Sequence, residues 1–298
     1  MEDMITGLCP QCGHTLHIPA ELASFSCMYC GTRLTKEQLA AEPPAAQEAD
    51  EDRAAYYDRA VSRLGWCIKN FGGYQKKIMR DVFFEAFETY ETGCAPVIQE
   101  LARGVAPEQQ TQLLGRAAAA MLDELEAGWQ KKGDMEDEKI VLAIFFVPMV
   151  RKQQLPISEE FVTILQKQWV ERYPKSPFYL GDYESISGGF RKKFLGLCFI
   201  TTAVCQELGK PDDCEELTAF RAFRDGYLRS QPDGEALIRE YYNIAPGIVT
   251  CINTCSDRHA SYARIREEFL APCYQDLLAG RNESCKARYV RMVRDLER

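Results

Sequence analysis

The residues best suited to chemistry in this 298-residue chain are its cysteines, thirteen in all. Their spacing separates two kinds. Cys9/Cys12 and Cys27/Cys30 are Cys-x-x-Cys pairs, each followed by a glycine and separated by a short segment. Such a turn places two sulfurs on one side, and the glycine relieves the tight backbone behind them. Four thiolates suit a tetrahedral structural metal site, so Cys9, Cys12, Cys27 and Cys30 are expected to bind one zinc ion in a small zinc ribbon, with short strands such as residues 14–18 between its two knuckles. Four thiolates leave no open position for water or substrate, which makes that zinc structural. His14 lies just past the first pair, where binding would distort it, and His14 and His17 are expected at the surface or beside the ligands. A ribbon this short buries too little apolar surface to fold unaided, so the metal supplies its stability.

The second kind lies far down the chain, in CFITTAVC (Cys198 to Cys205) and at Cys214. A seven-residue separation returns to almost the same helix face, which would project Cys198 and Cys205 together. Gly209 should stop that helix, Lys210 and Pro211 turn the chain, and Asp212 or Asp213 cap the next helix, leaving Cys214 in its first turn near Cys205. Two roles are open to this thiol cluster. Small polarizable thiols among Phe199, Ile200, Ala203 and Val204 pack helices closely, and apolar surroundings render them inert. The alternative is a shared metal or a redox pair.

Other candidates are fewer. Arg221 and Arg224 could hold an anion, or pair with carboxylates such as Asp225 or Glu215. Cys251, Cys255 and His259 lie four apart and would stack on one helix face, as a metal or thiol-base site or simply as small residues beside a solvated histidine. Only three histidines exist, two of them in the ribbon, so any Cys-His nucleophile must use His259. No phosphate-loop, dinucleotide, serine-hydrolase or zinc-protease motif occurs in the sequence.

The elements that must position these residues are helical. Tyr57, Val61, Leu64 and Ile68 recur at helical spacing. A second helix is read through KKIMRDVFFEAFETYETG, ending at Gly93. Others cover EQQTQLLGRAAAAMLDELEAGWQ, DMEDEKIVLAIFFVPMVRK, and ISEEFVTILQKQWVERY with Ser158 as its N-cap. Residues 140–150 are apolar on every side and far shorter than the roughly 20 residues a membrane crossing needs, which predicts a buried helix. Residues 173–189 hold two prolines, three glycines and four aromatics without periodicity. They form either a binding surface or an irregular crossover between helical subdomains.

The expected fold is mainly α, a multi-helix body with a small N-terminal zinc ribbon joined by a flexible linker. Its divisions are the ribbon at 1–34, an acidic Ala/Pro linker at 35–53, and helical domains at 54–190 and 191–298. The last domain, through CFITTAVC, PDDCEELTAFRAFRDGYL, QPDGEALIREYYNIAPGIV and GRNESCKARYVRMV, resembles the CFI-box family of bacterial proteins. The likeness is to clostridial-type chains that begin with a zinc ribbon. That resemblance implies no activity, substrate or catalytic residue.

Net charge is −8, with 46% hydrophobic and 27% charged residues. This balance repels phosphate backbones, and the ribbon offers only Arg33 as a firm positive charge, so nucleic acid is disfavoured as a partner and another protein is expected. The start, MEDMITGLCP, has no basic and apolar export signal, so a reducing, cytoplasmic compartment without membrane insertion is expected. The function expected from these residues is that of a zinc-binding, non-enzymatic interaction or adaptor protein. The alternative is a cysteine-dependent enzyme or a redox or metal sensor using Cys198, Cys205 and Cys214.

Overall fold

A computed structural model describes residues 4–11, 15–39, 50–191 and 198–297, and the chain divides into two units, 1–52 and 53–298. The expected linker falls largely at 40–49, outside the described residues. In the first unit, β1 (Met4–Leu8) and β2 (Thr15–Pro19) pair antiparallel, with Ile5 opposite Ile18 and Gly7 opposite Leu16. A second antiparallel pair, β3 (Ser24–Ser26) and β4 (Arg33–Thr35), sets Phe25 opposite Leu34. Cys9, Leu16, Cys27 and Leu34 are buried, with Ile18, Phe25 and Leu39 packed against them. Among the described residues both sheets of the chain lie here.

The second unit is helical, as expected. Its first half comprises α1 (Asp50–Leu64), α2 (Trp66–Lys69), α3 (Phe83–Gly104), α4 (Gln110–Gly128), α5 (Lys132–Val141), α6 (Val147–Lys152), α7 (Ser158–Arg172) and α8 (Tyr183–Arg191). Its second half comprises α9 (Phe199–Glu207), α10 (Glu215–Ala222), α11 (Gly234–Cys255), α12 (Arg258–Ile265), α13 (Ala271–Leu278) and α14 (Asn282–Glu297). Wider π-turns at Leu142–Phe146 and Arg266–Leu270 precede Pro148 and Pro272, whose rings cannot donate to or fit against the preceding turn. The apolar stretch from Val141 to Val150 is buried throughout, as its all-round hydrophobicity requires. No helix among the described residues is long and apolar enough to cross a membrane.

Three local expectations are corrected. α3 does not stop at Gly93 but runs to Gly104. A mid-helix glycine costs only about 1 kcal/mol, and Cys94, Val97, Ile98 and Leu101 continue the buried face begun by Phe83, Phe87 and Tyr90. Ser158 is not an N-cap. It is the first residue of α7, where its buried hydroxyl donates to Val150 O (2.8 Å) and accepts from Leu155 N (3.1 Å), tying the corner between α6 and α7. Nor is the 173–189 stretch irregular to its end, because Tyr183–Arg191 is helical. The rest is fastened down: Trp169 Nε1 donates to Ser176 O (2.7 Å), Gln166 Nε2 to Phe178 O (2.9 Å), and Tyr179 N to Thr254 O (2.7 Å).

Two cores fill this unit. The first gathers side chains from Tyr57 to Phe190, and the second gathers Cys198 to Val293. α11 serves both, sending Ile244, Ile248 and Ile252 into the second and Cys251 and Cys255 into the first. The Ile78–Asp81 segment lies along it: Arg80 N donates to Asn243 O (3.0 Å) and Asp81 N to Asn243 Oδ1 (3.1 Å). Gly247 permits that approach, since a Cβ there would stand 1.8 Å from the Ile78 carbonyl oxygen. Gly247→Ala is therefore expected to destabilise the body by about 1–3 kcal/mol through overpacking against backbone. An unchanged chemical-denaturation midpoint would show that this contact yields without cost.

Candidate metal centre and buried thiols

The candidate metal centre lies where two strands end. Cys9 follows directly on β1, and Cys27 follows directly on β3. In the second turn Cys27 N donates to Thr32 O (2.8 Å), Gly31 N donates to Cys27 O (2.8 Å), and Gly31 takes φ of +75°. That left-handed conformation is the reason a glycine follows the second pair, and it curls Cys30 back toward Cys27. The sulfurs of Cys9, Cys27 and Cys30 all lie within 4.8 Å of one another, a group that could hold a metal ion. Cys9 and Cys27 are buried, and Cys30 is exposed with its thiol 3.2 Å from Thr32 Oγ1. Cys12 and His14 lie outside the described residues. His17 is exposed in β2 opposite Thr6 and is not part of the sulfur cluster.

The second thiol cluster is divided rather than shared. Cys198 is not within a helix. It occupies the cap position of α9 with φ −105° and ψ 80°, so the seven-residue face argument does not apply to it. Its sulfur lies 3.5 Å from Arg224 Nη1, in the wall of an apolar cavity of about 70 Å³ lined also by Phe220, Phe223, Tyr241, Ile244 and Val293. Burial pushes the Cys198 thiol up, against the opposing pull of Arg224. Tyrosines hold the start of α9: Ile200 N donates to Tyr241 Oη (3.0 Å), and Tyr289 Oη donates to Tyr241 Oη (3.3 Å).

Cys205, by contrast, meets Cys214, their sulfurs 3.9 Å apart. Gly209 ends α9 with φ +67°, as the sequence requires, but the cap of α10 is Cys214 itself and not Asp212 or Asp213. Asp212 instead pairs with Arg221 (2.8 Å). Arg224 grips Asp225 through two bonds, Nε to Oδ1 at 2.8 Å and Nη2 to Oδ2 at 2.6 Å, so both arginines of the RAFRD segment face carboxylates.

Cys251, Cys255 and His259 are not brought together. α11 ends at Cys255, the chain turns, and His259 sits exposed on α12 in a pair with Glu207. Cys255 is instead buried in the first core, and burial drives its thiol well up from the ordinary range. Two further pairs escaped sequence reading: the side chains of Cys67 and Cys94 meet, as do those of Cys273 and Cys285, all four fully buried. Their separations in sequence carry no motif, and only packing reveals them. No protein-family model, curated protein or solved structure matches the chain.

Proposed function

We propose that the protein is a non-enzymatic, cytoplasmic interaction or adaptor protein whose zinc ribbon, on a tether, engages another protein. The convergence of the Cys9, Cys27 and Cys30 sulfurs at the ends of two hairpins carries this reading. Thiolates about 2.3 Å from a tetrahedral zinc stand about 3.8 Å apart, and the Cys9 and Cys30 sulfurs are separated by 3.7 Å. Cys12, three residues after Cys9, completes the expected set of four, and a closed thiolate set gives zinc a structural task. The tip of the second turn presents Met28 at 81% and Tyr29 at 57% exposure, an apolar surface suited to a protein partner. Arg33 and Lys36 are balanced by Glu21 and Glu37, which gives phosphate no field to follow.

The test combines metal analysis with cross-linking in cells. The purified chain is expected to carry one zinc, and Met28→Ala with Tyr29→Ala to reduce recovery of the cross-linked partner while retaining that zinc. Absence of zinc, a second metal per chain, or undiminished partner recovery would each overturn the proposal.

A further inference from the structure

Three thiol pairs meet inside the helical unit, and they differ in access to solvent. Cys67 with Cys94 and Cys273 with Cys285 are fully buried, so no reagent reaches them without unfolding. Cys205 and Cys214 are unequal: Cys205 is 1% exposed, while Cys214 is half-buried at the cap of α10. Their sulfurs are already in contact at 3.9 Å, and a disulfide would close that gap to about 2.05 Å. Between them lie Gln206 and Glu207, the last residues of α9, and a short loop, Leu208 to Asp213, containing Gly209 and Pro211, and Cys214 lies just outside regular helix with extended backbone angles. That loop can absorb the movement without disturbing either helix.

We infer that Cys205 and Cys214 are a dithiol site that exchanges with low-molecular-weight disulfides and closes into a protein disulfide at the corner between α9 and α10. The order of events follows from exposure. The Cys214 thiolate attacks one sulfur of the incoming disulfide; its own proton has gone to water, and one small thiolate leaves and is protonated. The Cys205 thiolate then attacks the Cys214 sulfur of the mixed disulfide, forming the S–S bond between them and expelling the second small thiolate. Two protein thiols are oxidised and one small disulfide is reduced to two small thiols, so electrons balance without a further oxidant. Burial and the Cys214 neighbour push the Cys205 thiol up to about 12, which protects it from direct attack by bulk reagents. Contact with the Cys214 sulfur makes its own step intramolecular, which offsets the scarcity of its thiolate. Cys214 is thus the entry point and Cys205 the resolving group. This site uses no residue of the candidate metal centre.

The experiment incubates the full-length chain with oxidised glutathione near pH 8 and maps the products by mass spectrometry. Cleavage after Glu207 places Cys205 and Cys214 on different peptides, so their disulfide is read as a linked pair, whatever the ribbon thiols do. The wild-type chain is expected to yield that linked pair, with Cys198 unmodified. Cys205→Ser should halt at a stable glutathionyl adduct on Cys214. Cys214→Ser should slow thiol loss at this corner by more than about 10-fold, because the remaining thiol is buried. A wild-type chain that stops at the Cys214 adduct, forms another linkage, or consumes no thiol here would overturn the inference. If Cys205→Ser fails to fold by circular dichroism, the wild-type map alone decides.

Discussion

Cys9→Ser is expected to release the metal ion and unfold residues 1–34 while the helical unit keeps its thermal transition. Among the described residues of the first unit, the buried apolar side chains beyond the cysteines are Leu16 and Leu34, helped by Ile18, Phe25 and Leu39. So small a core does not offset the conformational entropy of ordering two hairpins. Structural zinc contributes on the order of 10 kcal/mol to sites of this kind, comparable to the whole stability of a typical domain. Loss of one buried thiolate should therefore take the unit from folded to unfolded. Zinc stoichiometry and amide exchange across residues 4–39 read the ribbon, and the helical circular-dichroism melt reads the body. Persistent amide protection in the variant would show that the hairpins stand without metal. Collapse of the body's transition would show that the two units are not independent.

Phe145→Asp should have the opposite distribution, abolishing the body's cooperative transition and leaving zinc binding intact. Phe145 is fully buried in a π-turn and meets four aromatic rings, with centroids 5.2 Å from Tyr74, 5.6 Å from Tyr90, 5.8 Å from Phe83 and 6.2 Å from Phe87. Truncation to alanine alone costs about 3–5 kcal/mol at such positions, which for a unit of this size lowers the melting temperature by roughly 6–20 °C. An aspartate adds an unpaired buried charge to the cavity, and the sum exceeds the margin of typical stability. Graded thermal melts of the alanine and aspartate variants measure both steps. A Phe145→Asp chain that melts like wild type would mean that Val141 to Val150 is not the centre of the first core.

What the amino-acid sequence determines by itself here is local. Two Cys-x-x-Cys turns with trailing glycines specify where sulfurs converge, because the geometry of a turn spans only a few residues, and Gly31 takes the left-handed conformation that such a turn needs. Three- and four-residue apolar spacing specifies helices over most of residues 54–298, and the all-round apolar run at 141–150 specifies burial, because a side chain's periodicity is a property of its own helix. Gly209 stops α9 for an equally local reason. Tertiary structure decides the rest. Whether α3 ends at Gly93 depends on the neighbours that cover its far half, and whether Ser158 caps a helix depends on the Val150 carbonyl presented by another. The separation of Cys198 from Cys205 has the same origin. Arg224 and Tyr241 define one environment and Cys214 the other, and the residues that make this division lie nine to forty-three positions away along the chain. Thiol reactivity is set by access and by neighbouring charge, both of which belong to the packed structure. The cysteine spacing therefore marks where chemistry is available, and packing chooses which of those sulfurs can take part in it.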